Sequence, residues 1–429
     1  MTLTIAKHRF GGPLTWYHRL CWVLGKSFRL AYPLRVEGTD RLPRSGPAVV
    51  IAPHMSFSDA FPFLYAALPR PPRFLGTAFI LLANAPMSWL MYFGGTIPLC
   101  KHVPDTQAAR RILRLLAAGE LIMLFPEGER SWAGAPLEPI VPSVKFLARL
   151  KAPIYLAEIE GSYDHWPRWD ASPRRRPVTV RFRGPIELPG PGERRRPAGG
   201  RGRWWDAVYR SGGPLDAAAA CAALAAMLQE SCRGEARRLD LLRRGRIEQV
   251  AQLICYCPEC ARPGMSVTGL RLGCRECGAA WLPSPGGALH REGAAQGEEA
   301  LLLTDLFARM LARLEQRAVQ LLPLEVAVAV LDNGSRTGTA GRVVLDRDGA
   351  RITAGSAIWE VDLERVADAE LTGLSVMQFN SPAGDTLSLR CEGSALRLVL
   401  AARALCGLPW GRFISAPAPP AGTGGAARA

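Results

Sequence analysis

The feature that most constrains the fold is an alternation of short apolar runs with helical stretches. Residues 47–53, 121–125, 154–159 and 178–182 form four such runs, rich in aliphatic and β-branched side chains. Continuous apolar runs of this length are typical of strands that are buried on both faces. Helical stretches such as residues 106–118 lie between them. Because strands that alternate with helices build a helix-covered sheet, we predict an α/β domain.

The chain has 429 residues, which is too long for one ordinary core and predicts two or three domains. Shifts in composition along the chain indicate where the segments divide. The predicted segments are the α/β domain at 1–245, a cysteine-rich unit at 250–282, a linker and amphipathic helix at 283–325, a small β-rich domain at 326–415 and a disordered tail at 416–429.

The net charge and the cysteine content indicate which binding partners and which cellular compartment to expect. The net charge of +15 predicts an anionic partner: phosphate groups, an acidic membrane surface or nucleic acid. Residues 168–210 carry 12 Arg against four acidic residues, which is typical of either an anion-binding loop or a solvated surface loop. Nucleic acid is disfavoured because the basic residues concentrate in the α/β region. The 11 cysteines of a long chain without a secretory signal predict a reducing, cytosolic compartment.

Two segments predict contact with a membrane surface. Residues 14–32 combine aromatic and basic residues on one helix, which fits either an interfacial helix or a core-packing helix. Residues 74–100 form a charge-free run of 27 residues, formally long enough to span a bilayer. Because Asn84, Pro86 and Pro98 interrupt this run, we expect a buried or interfacial segment.

A histidine and an aspartate follow the first apolar run. The segment PHMSFSD places His54 at the carboxyl end of a strand, where sites in α/β sheets concentrate. If His54 lies in the turn and Asp59 in the first helical turn, the carboxylate orients the imidazole, whose other nitrogen accepts a proton. The alternative is structural, since Ser56 and Asp59 have the spacing of a helix capping box.

Two further blocks carry chemistry suited to anions. In FPEGERS, at 125–131, Gly128 lets the backbone approach an anion and Arg130 offers a planar fork for phosphate. The alternative for this block is a charged surface turn. The block GGTIPLCK, at 94–101, begins with a flexible Gly-Gly pair and ends in the cation of Lys101.

These three blocks, in this order, resemble the signature blocks of the glycerolipid acyltransferase family, of which 1-acylglycerol-3-phosphate acyltransferases are the type. PIYLA, at 153–157, is similar to the family's fourth block, and the resemblance covers roughly residues 14–240. It implies an α/β acyltransferase domain with a central β-sheet flanked by helices and an N-terminal interfacial helix.

The resemblance also implies a role for each matched residue. His54 would be the general base, and Asp59 would orient it and balance its charge. The acceptor and its phosphate would be bound by Ser56, Lys101, Glu127, Gly128 and Arg130. The donor would be acyl-CoA or acyl carrier protein, and because a thioester is already activated, no catalytic cofactor is needed.

The sequence departs from the family pattern at several of these positions. Pro53 stands in place of Asn, Lys101 in place of Arg and Glu129 in place of Thr. Glu129 brings a negative charge beside Arg130, which disfavours a phosphate there unless Glu129 points away. We expect a lysophospholipid-type acceptor with 1-acylglycerol-3-phosphate as the first candidate, and another lysophospholipid as the alternative.

Four cysteines in the C-terminal third have the spacing of a metal site. Cys257 and Cys260 form one C-x-x-C pair, and Cys274 and Cys277 form a second pair 13 residues later. This pattern predicts a closed, structural zinc site with four thiolates, and the stretch resembles zinc ribbons. Few basic residues lie in 255–280, so we predict a structural role or a protein contact.

Residues 338–412 resemble, more diffusely, a GRAM or PH-like β domain, which would bind lipid headgroups or a protein partner. The alternative is a small β scaffold that covers the acyltransferase. The sequence therefore predicts a membrane-associated acyltransferase of phospholipid biosynthesis. We expect peripheral or monotopic attachment to the cytoplasmic face of the cell membrane. The alternative is a catalytically altered protein of this fold that binds lipid or acts as a scaffold at the membrane.

Overall fold

The structure is a computed structural model, and it describes the greater part of the chain. The described residues are 14–77, 95–99, 105–150, 152–170, 172–186, 217–232, 241–242, 244–294, 300–317, 324–331, 338–346, 349–361, 368–372, 376–380, 386–391 and 395–405. The predicted tail at 416–429 and Lys101 lie outside them.

Helices are distributed along the whole described chain. They are α1 (Leu14–Ala31), α2 (Ala60–Ala66), α3 (Thr106–Ala117), α4 (Val141–Leu147), α5 (Ser162–His165), α6 (Ala217–Ser231), α7 (Arg244–Leu253), α8 (Leu303–Arg317) and α9 (Ala395–Leu405). A short 3-10 turn spans Thr39–Arg41.

The N-terminal region is built on a seven-stranded mixed sheet. Its strands are β1 (Leu34–Glu37), β2 (Ala48–Ile51), β3 (Arg73–Thr77), β4 (Ile97–Leu99), β5 (Leu121–Leu124), β6 (Ile154–Glu160) and β7 (Val178–Ile186). The spatial order is β1-β7-β6-β2-β5-β3-β4, and every neighbouring pair is parallel except β6 and β7. The four predicted apolar runs coincide with β2, β5, β6 and β7, so the α/β domain with a helix-flanked sheet is confirmed.

The central strands are apolar throughout because both faces of the sheet are covered. Val49 and Ile122 point to one face, where they join a core formed with α3, α4 and α6. Val50 and Met123 point to the other face and pack with Met55 and with side chains of α2. Because helices cover both faces, no side chain of these central strands faces water, which explains why the runs are continuously apolar instead of alternating between apolar and polar residues.

Helix α1 lies across α2 and leaves a largely apolar outer side. The two helices are in such close contact at Gly25 that a methyl group there would lie 2.9 Å from the Tyr65 backbone. Cys21 and Phe28 face inward and are buried, whereas Trp22, Val23 and Leu30 are 54%, 51% and 82% exposed. Within the described part of the chain, the helices lack the combination of length and hydropathy that crossing a bilayer requires.

The charge-free run at 74–100 begins and ends inside the sheet. Its first residues belong to β3, and residues 97–99 are β4, which pairs with β3 in parallel. The middle of the run, residues 78–94, lies outside the described residues. The predicted buried or interfacial segment therefore stays a prediction for that middle part.

A four-stranded antiparallel sheet surrounds the cysteine-rich segment. Its strands are β8 (Met265–Thr268), β9 (Arg271–Cys274), β10 (Ala280–Pro283) and β11 (Leu289–Arg291), in the order β11-β10-β9-β8. Strand β11 falls in the stretch at 283–297 predicted to be a linker. Backbone pairing of Trp281 with Arg291 and of Leu282 with His290 adds this strand to the sheet, although its sequence shows no strand pattern.

The last region is a seven-stranded antiparallel sheet closed by a helix. Its strands are β12 (Leu324–Leu331), β13 (Gly338–Leu345), β14 (Ala350–Ala354), β15 (Ala357–Val361), β16 (Asp368–Thr372), β17 (Val376–Asn380) and β18 (Thr386–Cys391). The order is β15-β14-β13-β12-β18-β17-β16, so the first and last strands pair. The valines of β12, which occupy alternate positions of the strand, are all buried, as are Leu396 and Val399 of α9. Strands β13 and β14 pair antiparallel, and between them the Asp346 N–H donates to the Gly349 carbonyl at 3.0 Å.

Gly161, which links β6 to α5, gives a direct test of this packing. Its φ is 83°, and a methyl group there would lie 2.0 Å from the carbonyl oxygen of Pro177. We expect Gly161→Ala to lower the free energy of unfolding by about 2–4 kcal/mol, measured by urea denaturation, because left-handed strain and a backbone clash add.

The matched control is Gly245→Ala in the first turn of α7. There a methyl group meets nothing within 4 Å among the described residues, and a helical Ala is favoured over Gly by up to about 1 kcal/mol. Equal unfolding midpoints for the two variants would contradict this account of the turn at Gly161.

Candidate active site

Three neighbouring strands bring the predicted site residues to one edge of the sheet. Strands β6, β2 and β5 are adjacent and parallel, so their carboxyl ends point the same way. Ser162 follows β6, His54 follows β2 and Glu127 follows β5, each by two or three residues. The carboxyl edge of a parallel sheet is where ligand sites of α/β proteins concentrate.

His54 and Asp59 form a close pair at this edge. The Nδ1 atom of His54 lies 2.8 Å from Oδ2 of Asp59. Because a carboxylate accepts, the imidazole that donates through Nδ1–H carries its basic lone pair on Nε2. The His54 side chain is 23% exposed and Asp59 is fully buried, so the imidazole reaches the surface while the carboxylate does not.

Asp59 gathers donors on both oxygens. Oδ2 also accepts the backbone N–H groups of Met55, at 2.7 Å, and Ser56, at 2.8 Å. Oδ1 accepts the hydroxyl of Ser162. The bond from the Ser56 N–H is one half of a capping box. The other half is not formed, because Asp59 itself precedes α2 and the Ser56 hydroxyl accepts from the Ser58 N–H at 3.1 Å. The catalytic and structural interpretations of Asp59 are therefore not exclusive, since one oxygen serves the turn and the imidazole.

The second block holds His54 from the other side. The His54 N–H donates to Oε2 of Glu127 at 2.6 Å, and the His54 carbonyl accepts from the Ser131 N–H at 2.7 Å. The imidazole stacks on the ring of Phe125 with centroids 4.1 Å apart and planes at 15°. The backbone of His54 is thus fixed by two hydrogen bonds, and its imidazole is fixed by the stacked ring of Phe125 and by the contact at Nδ1.

Glu127 and Ser56 are turned into the protein. The second carboxylate oxygen of Glu127 accepts from the Leu137 N–H at 3.0 Å, and the side chain is buried. Burial raises the pKa of Glu127 well above its usual range, and the N–H groups of His54 and Leu137 oppose that rise. The hydroxyl of Ser56, also buried, bonds to that of Ser58 at 3.0 Å. Contact of these two side chains with an acceptor stays a prediction.

Arg130 lies at the rim of the same loop. Its guanidinium carbon is 5.3 Å from the ring centroid of Phe57. Gly128 adopts a left-handed φ of 72°, and a methyl group there would lie 3.2 Å from Ile140. Glu129 pairs with buried Arg168 at 2.7 Å. Its charge is therefore countered by a partner other than Arg130, which is the condition for a phosphate at Arg130.

The first arginines of the basic run at 168–210 include two buried side chains that make contacts within the protein, so this part of the run is not a solvated loop. Arg168 lies 3.6 Å above the ring centroid of Trp132. Buried Arg174 pairs with Asp164 at 3.2 Å and with Asp170 at 2.7 Å. Residues 187–216 lie outside the described residues, so the predicted anion-binding role stays open there.

The residues that sequence reasoning missed come from segments that carry no motif. Ser162 has one local signal, its place after Gly161 at the carboxyl end of β6. The Thr304 hydroxyl of α8 donates to the Ala133 carbonyl at 2.7 Å, in the loop that continues from Arg130. This bond joins two chain segments 171 positions apart, which no local pattern indicates.

The four predicted cysteines converge and could hold a metal ion. The sulfur atoms of Cys257, Cys260, Cys274 and Cys277 all lie within 4.8 Å of one another. The Cys257–Cys277 and Cys260–Cys274 sulfur distances are 3.6 and 3.8 Å. Tetrahedral bonds of about 2.3 Å to zinc would separate the sulfurs by about 3.8 Å, so the donor set fits that ion.

Two similar backbone turns create this arrangement. The Ala261 N–H donates to the Cys257 carbonyl at 2.9 Å, and the Gly278 N–H donates to the Cys274 carbonyl at 3.1 Å. Ala261 and Gly278, at matching positions in the two turns, both have left-handed φ values of 61° and 76°. Each turn presents two sulfurs, as expected for paired C-x-x-C knuckles.

Comparison with known proteins identifies the domain that carries the His54–Asp59 pair. Residues 33–156 match the family model described as Acyltransferase. The chain is 33% identical over 106 residues to the chloroplastic 1-acyl-sn-glycerol-3-phosphate acyltransferase LPAT1 of Arabidopsis thaliana, covering 24% of this chain and 29% of that protein. It is 30% identical over 106 residues to the chloroplastic 1-acyl-sn-glycerol-3-phosphate acyltransferase BAT2 of Brassica napus, covering 24% and 30%.

The chain thus spans less than a third of the length of these curated relatives. The crystal structure of the 1-acyl-sn-glycerophosphate acyltransferase PlsC from Thermotoga maritima matches with 21% identity and a TM-score of 0.33, covering 39% of this chain and 67% of that one. The family match includes the turns that hold His54, Asp59, Glu127 and Arg130. Residues 33–156 therefore form an acyltransferase domain, similar to segments of 1-acylglycerol-3-phosphate acyltransferases.

Proposed function

We propose that the protein transfers a fatty acyl group from acyl-CoA or acyl carrier protein to the hydroxyl of a lysophospholipid-type acceptor. The first candidate acceptor is 1-acylglycerol-3-phosphate. The observation that carries the proposal is the 2.8 Å contact of His54 with Asp59, next to the loop of Arg130, inside an acyltransferase domain.

In the proposed reaction His54 acts as the general base. Nε2 takes the proton of the acceptor hydroxyl while that oxygen attacks the thioester carbonyl carbon. Asp59 stabilises the imidazolium that forms and keeps its orientation. The tetrahedral oxyanion then collapses, the carbon–sulfur bond breaks, and the leaving thiolate takes a proton from His54. The products are the ester and the free thiol of the carrier.

The acceptor's phosphate is assigned to the loop of Arg130. A guanidinium binds phosphate through a planar pair of N–H donors. The Glu129–Arg168 pair supports this assignment because it counters the negative charge next to Arg130. Lys101 is the second proposed phosphate ligand and lies outside the described residues.

We propose that α1 attaches the domain to the cytoplasmic face of the cell membrane, peripherally or as a monotopic protein. Its outer side exposes Trp22, Val23 and Leu30 beside Arg19 and Arg29, a combination that suits a lipid interface. We also propose that the C-terminal antiparallel sheet is a GRAM or PH-like module, a role supported by its strand order and its closing helix α9.

We propose that the four-cysteine cluster is a zinc ribbon with a structural role. Four thiolates close a tetrahedral site and leave no position for a substrate. Bound zinc would fix the two knuckles to each other and to strand β9. The transfer reaction itself uses His54 and Asp59.

Replacing the base tests the reaction directly. We expect His54→Ala to lower the rate of acyl transfer by about 10²- to 10⁴-fold, because the acceptor hydroxyl loses its general base. The assay measures labelled ester formed from acyl thioester and lysophospholipid in vesicles. His290→Ala, at an exposed position of β11, is the control and should leave the rate unchanged. A His54→Ala protein with wild-type rates, or a wild-type protein that binds lipid without turnover, would contradict the enzymatic proposal.

A series of acceptors tests the role of Arg130. We expect Arg130→Ala to raise KM at least about tenfold for 1-acylglycerol-3-phosphate and much less for lysophosphatidylcholine, since only the first presents a phosphate monoester. Arg351→Ala, on the exposed side of β14, is the control. An equal rise in KM for both acceptors would contradict the proposal that Arg130 recognises the phosphate monoester.

Metal content tests the ribbon. We expect the full chain to contain one zinc per molecule by elemental analysis, and Cys274→Ser to lose it, because three thiolates hold the ion more weakly. Cys221→Ser changes a half-buried thiol of α6 outside the cluster and should keep the zinc. Zinc content well below one per molecule in the folded wild type would argue against the ribbon.

A further inference from the structure

One donor to the Asp59 carboxylate comes from a different strand. Ser162 is the first residue of α5 and lies 103 positions from Asp59, yet its hydroxyl donates to Oδ1. The other three groups on Asp59, from His54, Met55 and Ser56, all meet Oδ2 and all belong to the same turn. Ser162 is therefore the described contact that fixes the second oxygen from outside this turn.

The short helix α5 is itself held rigidly. The Tyr163 hydroxyl donates to the Trp132 carbonyl at 2.8 Å and accepts from Nε1 of Trp169 at 2.7 Å. Asp164 pairs with Arg174, and Nδ1 of His165 lies 2.6 Å from the Arg174 carbonyl. All four residues of α5 are buried. Ser162 is thus presented to Asp59 from a fixed platform.

We propose that Ser162 is a positioning residue, whose hydroxyl holds the plane of the Asp59 carboxylate so that Oδ2 faces Nδ1 of His54. The inference rests on the proposed acyl transfer and extends it to a residue outside the matched blocks. By bonding to Oδ1, the hydroxyl restrains rotation of the carboxylate out of the plane in which Oδ2 accepts from Nδ1. The imidazole then keeps the tautomer in which Nε2 is basic.

No other charge at this site replaces that contact among the described residues. The titratable groups that face Asp59 are His54 from its own turn, Glu127 from the loop after β5 and His165 from α5. Burial raises the pKa of Glu127 and lowers the pKa of His165, so both are held toward their neutral forms. The orientation of Asp59 therefore depends on its hydrogen-bond donors.

The test compares Ser162→Ala with Ser162→Thr, which keeps the hydroxyl. In the acyl-transfer assay with vesicles we expect Ser162→Ala to lower kcat about ten- to a hundredfold, with KM for the acceptor within about twofold. The acid limb of the kcat/KM profile should move to lower pH, because a carboxylate turned away from Nδ1 stabilises the imidazolium of His54 less and the neutral base persists to lower pH. Ser162→Thr should restore both kcat and the acid limb.

Two further variants separate positioning from packing. Ser231→Ala removes a buried hydroxyl that bonds within α6, and it should leave kcat and the pH profile unchanged. Ser162→Ala added to Asp59→Asn should cost little beyond Asp59→Asn alone, since Ser162 acts through Asp59. If Ser162→Ala does not fold, Ser162→Cys tests the same point, because it keeps the shape with a much weaker donor.

A readout without turnover keeps this inference separate from the proposed function. The proton resonance of the His54 Nδ1–H, assigned by its loss in His54→Ala, should shift in Ser162→Ala and return in Ser162→Thr. An unchanged resonance and an unchanged acid limb in folded Ser162→Ala would overturn the positioning role. So would a loss of kcat that Ser162→Thr does not restore. A wild-type protein inactive with every acceptor would instead defeat the acyl-transfer proposal, while the resonance test still decides on Ser162.

Discussion

The arrangement of the whole α/β domain depends on one buried carboxylate. An ionised side chain away from water is stable only when hydrogen-bond donors surround it. Asp59 finds them in its own turn and in the turn after β6, so the loop after β2, the start of α2 and the end of β6 must be in register. The contact of His54 with Asp59 is therefore one of the bonds that satisfy this charge. The turn whose N–H groups bond to Asp59 also orients the imidazole of His54.

Much of the fold could be read from the sequence because burial on both faces produces continuous apolar runs. The strands β2, β5, β6 and β7 coincide with such runs, and the place of His54 after β2 follows from them. The His54–Asp59 contact could be expected from the turn geometry, and the structure adds that the capping and orienting roles share Oδ2. The zinc-like spacing of four cysteines likewise predicted their convergence.

The remaining features depend on partners far apart in the chain. Nothing local marks Ser162 as a donor to Asp59, and nothing in the basic run marks Arg168 as the partner of Glu129. The family resemblance implied an acceptor contact for Glu127, which stays a prediction, and the fold bonds its carboxylate to the backbone N–H groups of His54 and Leu137. Strand β11 forms through backbone pairing alone, which side-chain patterns do not reveal.

Helix α8 contacts both the α/β region and the cysteine-rich segment, which matters for any dissection of the chain. Near its start, the Thr304 hydroxyl donates to the Ala133 carbonyl, in the loop that continues from Arg130. Further along, Arg309 pairs with Glu259, and Arg317 donates to the Cys260 carbonyl within the first knuckle. The helix is thus a strut between the sulfur cluster and the loop of Arg130. Cutting away the C-terminal third would remove a support of the transferase domain, so a truncated enzyme cannot serve as a neutral reference for the appended modules.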